Sequence, residues 1–300
     1  MIPPSSRPGA RRLFVAFASL LCALAQMASA EILVKPGEKV AFLGDSITAQ
    51  GWGNPAGYVK LVVAAFEANG INITPVPAGI GGHKSNDMLA RLDKDVLSKK
   101  PQWMTLSCGV NDVWHGNKGV PLNDAQASAQ TYEKRSPNEP DKGTYEKNIT
   151  QIVEQAEAAG VKVVILTATV IREDLGNNEN KLLVPYNDFL RKLAKDKHLP
   201  LADLNAMVQE QVKAANQPGK NVFTVDGVHM NSEGNKIMAT GVLQAFGFDA
   251  GQIKKAEAAW TPMIAQAADE AKRVAEAKAK AAAEKAAAAK LATPAAAPTK

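Results

Sequence analysis

Val40-Ala41-Phe42-Leu43-Gly44-Asp45-Ser46-Ile47-Thr48 is the stretch on which the reading of this chain turns. Four consecutive apolar residues followed by a glycine describe a buried strand that ends in a tight backbone path. Asp45 and Ser46 then stand just past the strand's carboxyl end, where open parallel sheets keep their ligands. Alone, Gly-Asp-Ser is an ordinary turn, with Asp or Ser capping the next helix. Its meaning depends on the loops after the other strands.

Outward from this stretch, short β-branched or apolar runs alternate with helical patterns, which predicts βαβ units and an α/β fold with a mainly parallel sheet. The predicted strands are 39–43, 71–76, 103–107, 161–167 and 200–203. Helices are predicted over 58–68, 85–97, 145–159, 184–195 and 205–215, with a last one after Ser232. Two segments break the alternation. From Gly116 to Gly143 the chain is polar and contains Pro121, Pro137 and Pro140, a long excursion of the kind that is usually functional. From Ala256 onward alanine dominates, interspersed with Lys and Glu, a composition with high helix propensity and little side-chain volume for a core.

The 300 residues carry 35 Lys and Arg against 30 Asp and Glu, a formal net charge of +5. That excess does not belong to the body. Residues 1–30 hold Arg7, Arg11 and Arg12 and no acid, then an apolar run from Leu13 to Leu24 and a close in Ala28-Ser29-Ala30. This is the pattern of a secretory signal, expected to be cleaved after Ala30. Residues 252–300 hold nine basic residues against five acidic, which leaves 31–251 with 23 against 25. A slightly acidic body has no electrostatic footprint for nucleic acid. The expected organisation is therefore a signal peptide at 1–30, a domain at 31–251 and an Ala/Lys-rich helical or disordered tail at 252–300.

Three further loops come after strands. Ala78-Gly79-Ile80-Gly81-Gly82-His83-Lys84-Ser85 sets three glycines ahead of a helix, exposing backbone N–H groups suited to a developing negative charge. Its register does not close a phosphate loop. Gly109-Val110-Asn111-Asp112 offers the Asn111 amide at the same sheet edge. Asp226-Gly227-Val228-His229 sets a carboxylate three residues before an imidazole, able to accept one ring N–H while the other nitrogen stays free. With no paired-ligand spacing of Cys or His, no metal is expected. Cys108 has no partner once Cys22 leaves with the signal. Of two Asn-x-Thr triplets, Asn148 remains a possible glycan acceptor, whereas Asn72 is expected inside a strand.

These four blocks, in this order and each after a strand, resemble the SGNH/GDSL hydrolase family across roughly residues 40–246. The resemblance implies a three-layer α/β/α sandwich, flavodoxin-like, with five strands. It implies a serine esterase or acylhydrolase in which Ser46 is the nucleophile, His229 the base and Asp226 its partner. The backbone N–H groups of Ser46 and Gly82 and the Asn111 amide would form the oxyanion hole, with no cofactor. Asp45, Trp114 and His115 are expected to face the substrate, with Trp52 beside them. Family members often carry Asn where Pro77 stands and Asp where His83 stands. Export combined with this family points to short acyl groups, acetyl foremost, on a carbohydrate or other small ester. Lysophospholipase, lipase-like or arylesterase activity is the alternative, or a non-catalytic glycan-binding envelope module. A periplasmic or secreted location is implied, with weak envelope association through the tail.

Overall fold

The computed structural model describes residues 31–115, 118–128 and 143–291, with side chains to 285. The expected leader and most of the polar excursion lie outside the described residues. Five strands, β1 (Lys39–Gly44), β2 (Thr74–Gly79), β3 (Trp103–Ser107), β4 (Lys162–Leu166) and β5 (Leu201–Ala202), form one parallel sheet in the order β2-β1-β3-β4-β5. β1, β3 and β4 are buried almost throughout, which is why they read as continuous apolar runs.

Helices alternate with the strands and continue beyond them: α1 (Ser46–Gly53), α2 (Tyr58–Ala68), α3 (Ser85–Asp95), α4 (Val110–Trp114), α5 (Asp124–Ser128), α6 (Tyr145–Ala158), α7 (Asn178–Asp196), α8 (Leu204–Ala215), α9 (Ser232–Ala245) and α10 (Ala250–Leu291). α2, α8, α9 and α10 pack on one another as one group, and α3, α6 and α7 as a second. With the sheet between flanking helices, this is the α/β architecture expected from the alternation.

β2 begins three residues later than predicted. Pro75 and Pro77 hid it, because proline removes a ladder donor. The Thr74 and Ile80 N–H groups donate to Glu38 and Gly44 of the β1 segment, so even-numbered residues face β1 and the two prolines face outward from an edge strand. There a missing N–H costs nothing and blocks pairing with another chain. The same shift reverses the glycan reading: Asn72 lies exposed ahead of β2, whereas Asn148 is buried in α6 with its amide donating to Ser85 Oγ. α7 also starts earlier than predicted, at Asn178, because the Asn177 side chain caps it by accepting from Asn180 N–H despite Pro185 inside.

The expected boundary at 251 is corrected by α10. Ile253, Ala256, Trp260 and Ala267 belong to the same buried core as β1 and α2, and Trp260, 1% exposed, donates its indole N–H to the Leu61 carbonyl of α2 at 2.8 Å. One aromatic among many alanines supplies the volume that composition alone concealed. Trp260→Ala is expected to destabilise the fold by about 3–5 kcal/mol. Truncation after Glu270, beyond the last buried residue, is expected to leave the denaturation midpoint unchanged. Urea titration of both variants checks this, and equal losses would place the boundary elsewhere.

Candidate active site

Ser46 opens α1 directly after β1. The register pairs Gly44 with Gly79 at the ends of β1 and β2, and α1 rests on both. A Cβ at Gly44 would stand 2.0 Å from Thr48 Oγ1, and one at Gly79 would stand 2.3 Å from Ala49 N. Two bare backbones side by side therefore let the helix carrying Ser46 sit against the strand ends.

Asp226 and His229 lie between α8 and α9, in a loop closed by the Val225 N–H donating to the His229 carbonyl at 2.8 Å. Gly227 holds its apex at φ +94°, a conformation that side chains resist. Glu173, seven residues beyond the end of β4 at Leu166, anchors the approach: its carboxylate accepts from the N–H groups of Val222, Phe223 and Thr224 and from Thr224 Oγ1. The Arg172 N–H donates to the Gly227 carbonyl at 2.6 Å.

The result brings three side chains into line. His229 Nε2 is 2.8 Å from Ser46 Oγ, and His229 Nδ1 is 2.6 Å from Asp226 Oδ2. An ionised carboxylate can only accept, so Nδ1 carries the proton and Nε2 presents its lone pair to the serine hydroxyl. Asp226 Oδ1 accepts the N–H groups of Val228 at 3.0 Å and His229 at 2.8 Å. Partial burial alone would raise the Asp226 pKa, but these backbone bonds and the His229 ring outweigh it and hold the carboxyl below its ordinary value.

The glycine loop lies beside the serine: a Cβ at Gly81 would stand 3.9 Å from Ser46 Cβ, and Gly82 has φ +75°. Among the described residues the Ser46 and Gly82 N–H groups have no acceptor. Arg91 of α3 fastens this loop, donating to the Gly44 and Ala78 carbonyls and to His83 Nδ1 at 2.8–3.0 Å. Burial first, then the Arg91 guanidinium, push the His83 pKa down. Asn111, in α4, donates from Nδ2 to the His83 carbonyl at 3.2 Å. Asp112 ties the two blocks together by accepting the Ser85 N–H at 3.0 Å, and its burial pushes its pKa up to about 6.

Asp45 does not face the substrate as expected. It is 3% exposed and caps α1 by accepting the Ile47 N–H at 2.9 Å. Burial, with the Asp112 charge adding to it, pushes its pKa up to about 7. Between its unfolded value of 3.8 and about 7, the native state keeps a proton that the unfolded chain has released, so this group lowers stability as pH rises through that window. Asn also caps helices, so Asp45→Asn is expected to melt several degrees above wild type at pH 8, the gap closing towards pH 4, with KM unchanged. Parallel melting curves across this range, or a raised KM, would contradict the assignment.

Trp114 is half-buried and stacks on His115, whose ring points Nε2 at Asn111 Oδ1. Trp52 packs against the core with Lys60 over its ring. Sequence reasoning missed Glu173, Arg91 and Asp112. Glu173 and Asp112 come soon after strands, a positional signal that was available; Arg91 sits in mid-helix and carried none. Among the described residues no group of three His, Cys, Asp or Glu is placed to hold a metal, and no helix is long and apolar enough to cross a membrane.

A serine hydroxyl, an imidazole and a carboxylate in line at the carboxyl edge of a parallel sheet are the equipment of an acyl hydrolase. The model of the GDSL-like lipase/acylhydrolase family matches residues 42–237, and the chain belongs to that family. It is similar to an acetylxylan esterase of Geobacillus stearothermophilus, 26% identical over 225 residues that cover 71% of this chain and 95% of the relative. An uncharacterised lipoprotein of Bacillus subtilis (strain 168) is 24% identical over 195 residues, covering 57% and 72%. The crystal structure of the acetylxylan esterase has a TM-score of 0.57 at 25% identity, covering 72% of this chain and 97% of that one. An α/β hydrolase from the metagenome of Lake Arreo, Spain, has a TM-score of 0.57 at 24% identity, covering 72% and 98%. The chain is thus a carboxylic ester hydrolase of the SGNH/GDSL type.

Proposed function

We propose that this protein is an exported serine esterase that removes short acyl groups, acetyl foremost, from a carbohydrate. The observation that carries the mechanism is the line from Ser46 Oγ through the His229 ring to Asp226, at 2.8 and 2.6 Å. Ser46 attacks the ester carbonyl as His229 Nε2 takes its proton, and Asp226 holds the imidazole in the reactive tautomer. The Ser46 and Gly82 N–H groups and the Asn111 amide receive the tetrahedral oxyanion. His229 then passes the proton to the departing sugar oxygen, and water, activated by the same ring, cleaves the acyl-enzyme. Solved variants of the Geobacillus relative described as catalytic mutants replace a serine, an aspartate and a histidine, the last two three residues apart. Asp226 and His229 have that spacing.

The substrate reading rests on the acetylxylan esterase relative. The lipoprotein relative and the basic, apolar and small-residue order of residues 1–30 support a place in the envelope or outside the cell. We infer weak envelope association for the basic end of α10 beyond Ala267. The test is a panel of acetylated xylan, acetylated monosaccharides and p-nitrophenyl esters of rising chain length. Acetyl esters should turn over fastest, with acetylated sugars preferred over aryl acetate in kcat/KM. Fastest turnover of long acyl chains would favour a lipase instead.

A further inference from the structure

Asn111 stands between two histidines that the acyl-transfer steps leave unused. Its Nδ2 donates to the His83 carbonyl at 3.2 Å, and its Oδ1 lies 3.2 Å from His115 Nε2. A backbone carbonyl only accepts, so the first contact fixes which end of the amide is nitrogen. The oxygen end also only accepts, so His115 must carry a proton on Nε2. Nδ2 has two hydrogens; one is spent on His83 and the other remains for the oxyanion.

A single hydrogen bond leaves the amide free to rock about the line from Nδ2 to the His83 oxygen. A second bond at the opposite end fixes the plane, and with it the direction of the remaining N–H. His115 is itself held, its ring stacked on Trp114 with centroids 5.8 Å apart at 28°. Burial, then the ammonium groups of Lys84 and Lys118, push its pKa down, in keeping with a neutral ring.

We propose that His115 is a positioning residue: its Nε2–H holds the Asn111 amide in the plane that aims the free N–H at the oxyanion. This rests on the esterase reading and replaces the expectation that His115 contacts the substrate. A donor misdirected rather than deleted should cost less than the loss of an oxyanion donor, which is typically about 10²–10³ in turnover.

The experiment measures kcat and KM on p-nitrophenyl acetate for His115→Ala, His115→Gln, Asn111→Ala and the His115→Ala/Asn111→Ala pair. His115→Ala should lower kcat about tenfold with KM nearly unchanged, and Gln, whose amide can donate to the same oxygen, should recover most of it. On the Asn111→Ala background the His115 substitution should cost nothing further, since the group it positions is gone. Additive losses, an effect confined to KM, or an unaltered kcat in His115→Ala would overturn the proposal. Long-range ¹H–¹⁵N spectra of the imidazoles at pH 8 give a readout independent of hydrolysis. His115 should be the Nε2–H tautomer in the wild type and a tautomer mixture in Asn111→Ala, and a wild-type Nδ1–H form would overturn the placement. Should the wild type hydrolyse no ester, the esterase reading fails while the spectra still decide the His115 contact.

Discussion

Ser46→Ala is expected to lower kcat for ester hydrolysis by about 10⁵ or more, and to abolish labelling by a fluorophosphonate probe. The size comes from the geometry: Ser46 Oγ is the hydroxyl within hydrogen-bond reach of His229 Nε2, at 2.8 Å. Ser85 and Ser107 are buried, so neither can take over the attack. The backbone donors of the oxyanion hole survive the substitution, which is why a residue of rate above water should persist. Stability should not fall, because Oγ makes no contact that holds α1 in place; the cap belongs to Asp45 and the seat to Gly44 and Gly79. Intact-mass analysis after probe treatment should show one adduct on wild type and none on the variant. A variant that hydrolyses within tenfold of wild type, or is still labelled, would remove Ser46 from the reaction.

The fold was legible in the chain wherever burial imposed a pattern. β1, β3 and β4 are buried on both faces, so their apolar runs announced them within a residue or so. β2 is an edge strand, and its prolines, tolerable only there, disguised it. α10 shows the opposite failure. Alanine carries so little volume that the segment read as a tail outside the core, while Ile253, Ala256 and Trp260 bury its first turns and Trp260 ties them to α2.

Ser46, Asp226 and His229 could be singled out because they stand in or beside loops with chemistry-bearing residue types, and the structure brings these three side chains into line. What holds them was not legible. Glu173, Arg91 and Asp112 are buried charges whose partners are mostly backbone groups far along the chain, and backbone carries no sequence signature. Asp45 illustrates the ambiguity directly, since a carboxylate beside the nucleophile reads equally as a substrate contact or a helix cap. The helix took it. Four of the five strands are followed by a candidate reacting group or its clamp: Ser46 after β1, the glycine loop after β2, Asn111 and Asp112 after β3, and Arg172 with Glu173 beyond β4. The clamp after β4 explains how a loop with no strand of its own can hold Asp226 and His229 against Ser46.

Asp226→Asn should lower kcat by about 10³–10⁴, more than the loss of a charge at a half-exposed site would suggest. Asp226 is 49% exposed on its side chain and His229 only 16%, so water can reach the carboxylate but the ring is largely enclosed. Oδ1 already accepts two backbone N–H groups, from Val228 and His229. An asparagine must keep its oxygen there, because turning its NH₂ towards two N–H donors would set donors against donors. Its nitrogen is therefore forced into the Oδ2 position, facing His229 Nδ1. Two donors cannot share that contact, so the ring gives up its Nδ1 proton and carries one on Nε2 instead. The serine hydroxyl then meets an N–H rather than a lone pair, and general-base catalysis stops. Alanine imposes no tautomer, and water can take the vacated carboxylate position and accept from Nδ1. Asp226→Ala should consequently retain more kcat than Asp226→Asn while melting lower, because the Val228 and His229 N–H groups lose their acceptor. Kinetics on p-nitrophenyl acetate together with melting curves for both variants test this. An Asn variant within tenfold of wild type, or an Ala variant slower than Asn, would mean that Asp226 acts through its charge rather than by fixing the ring proton.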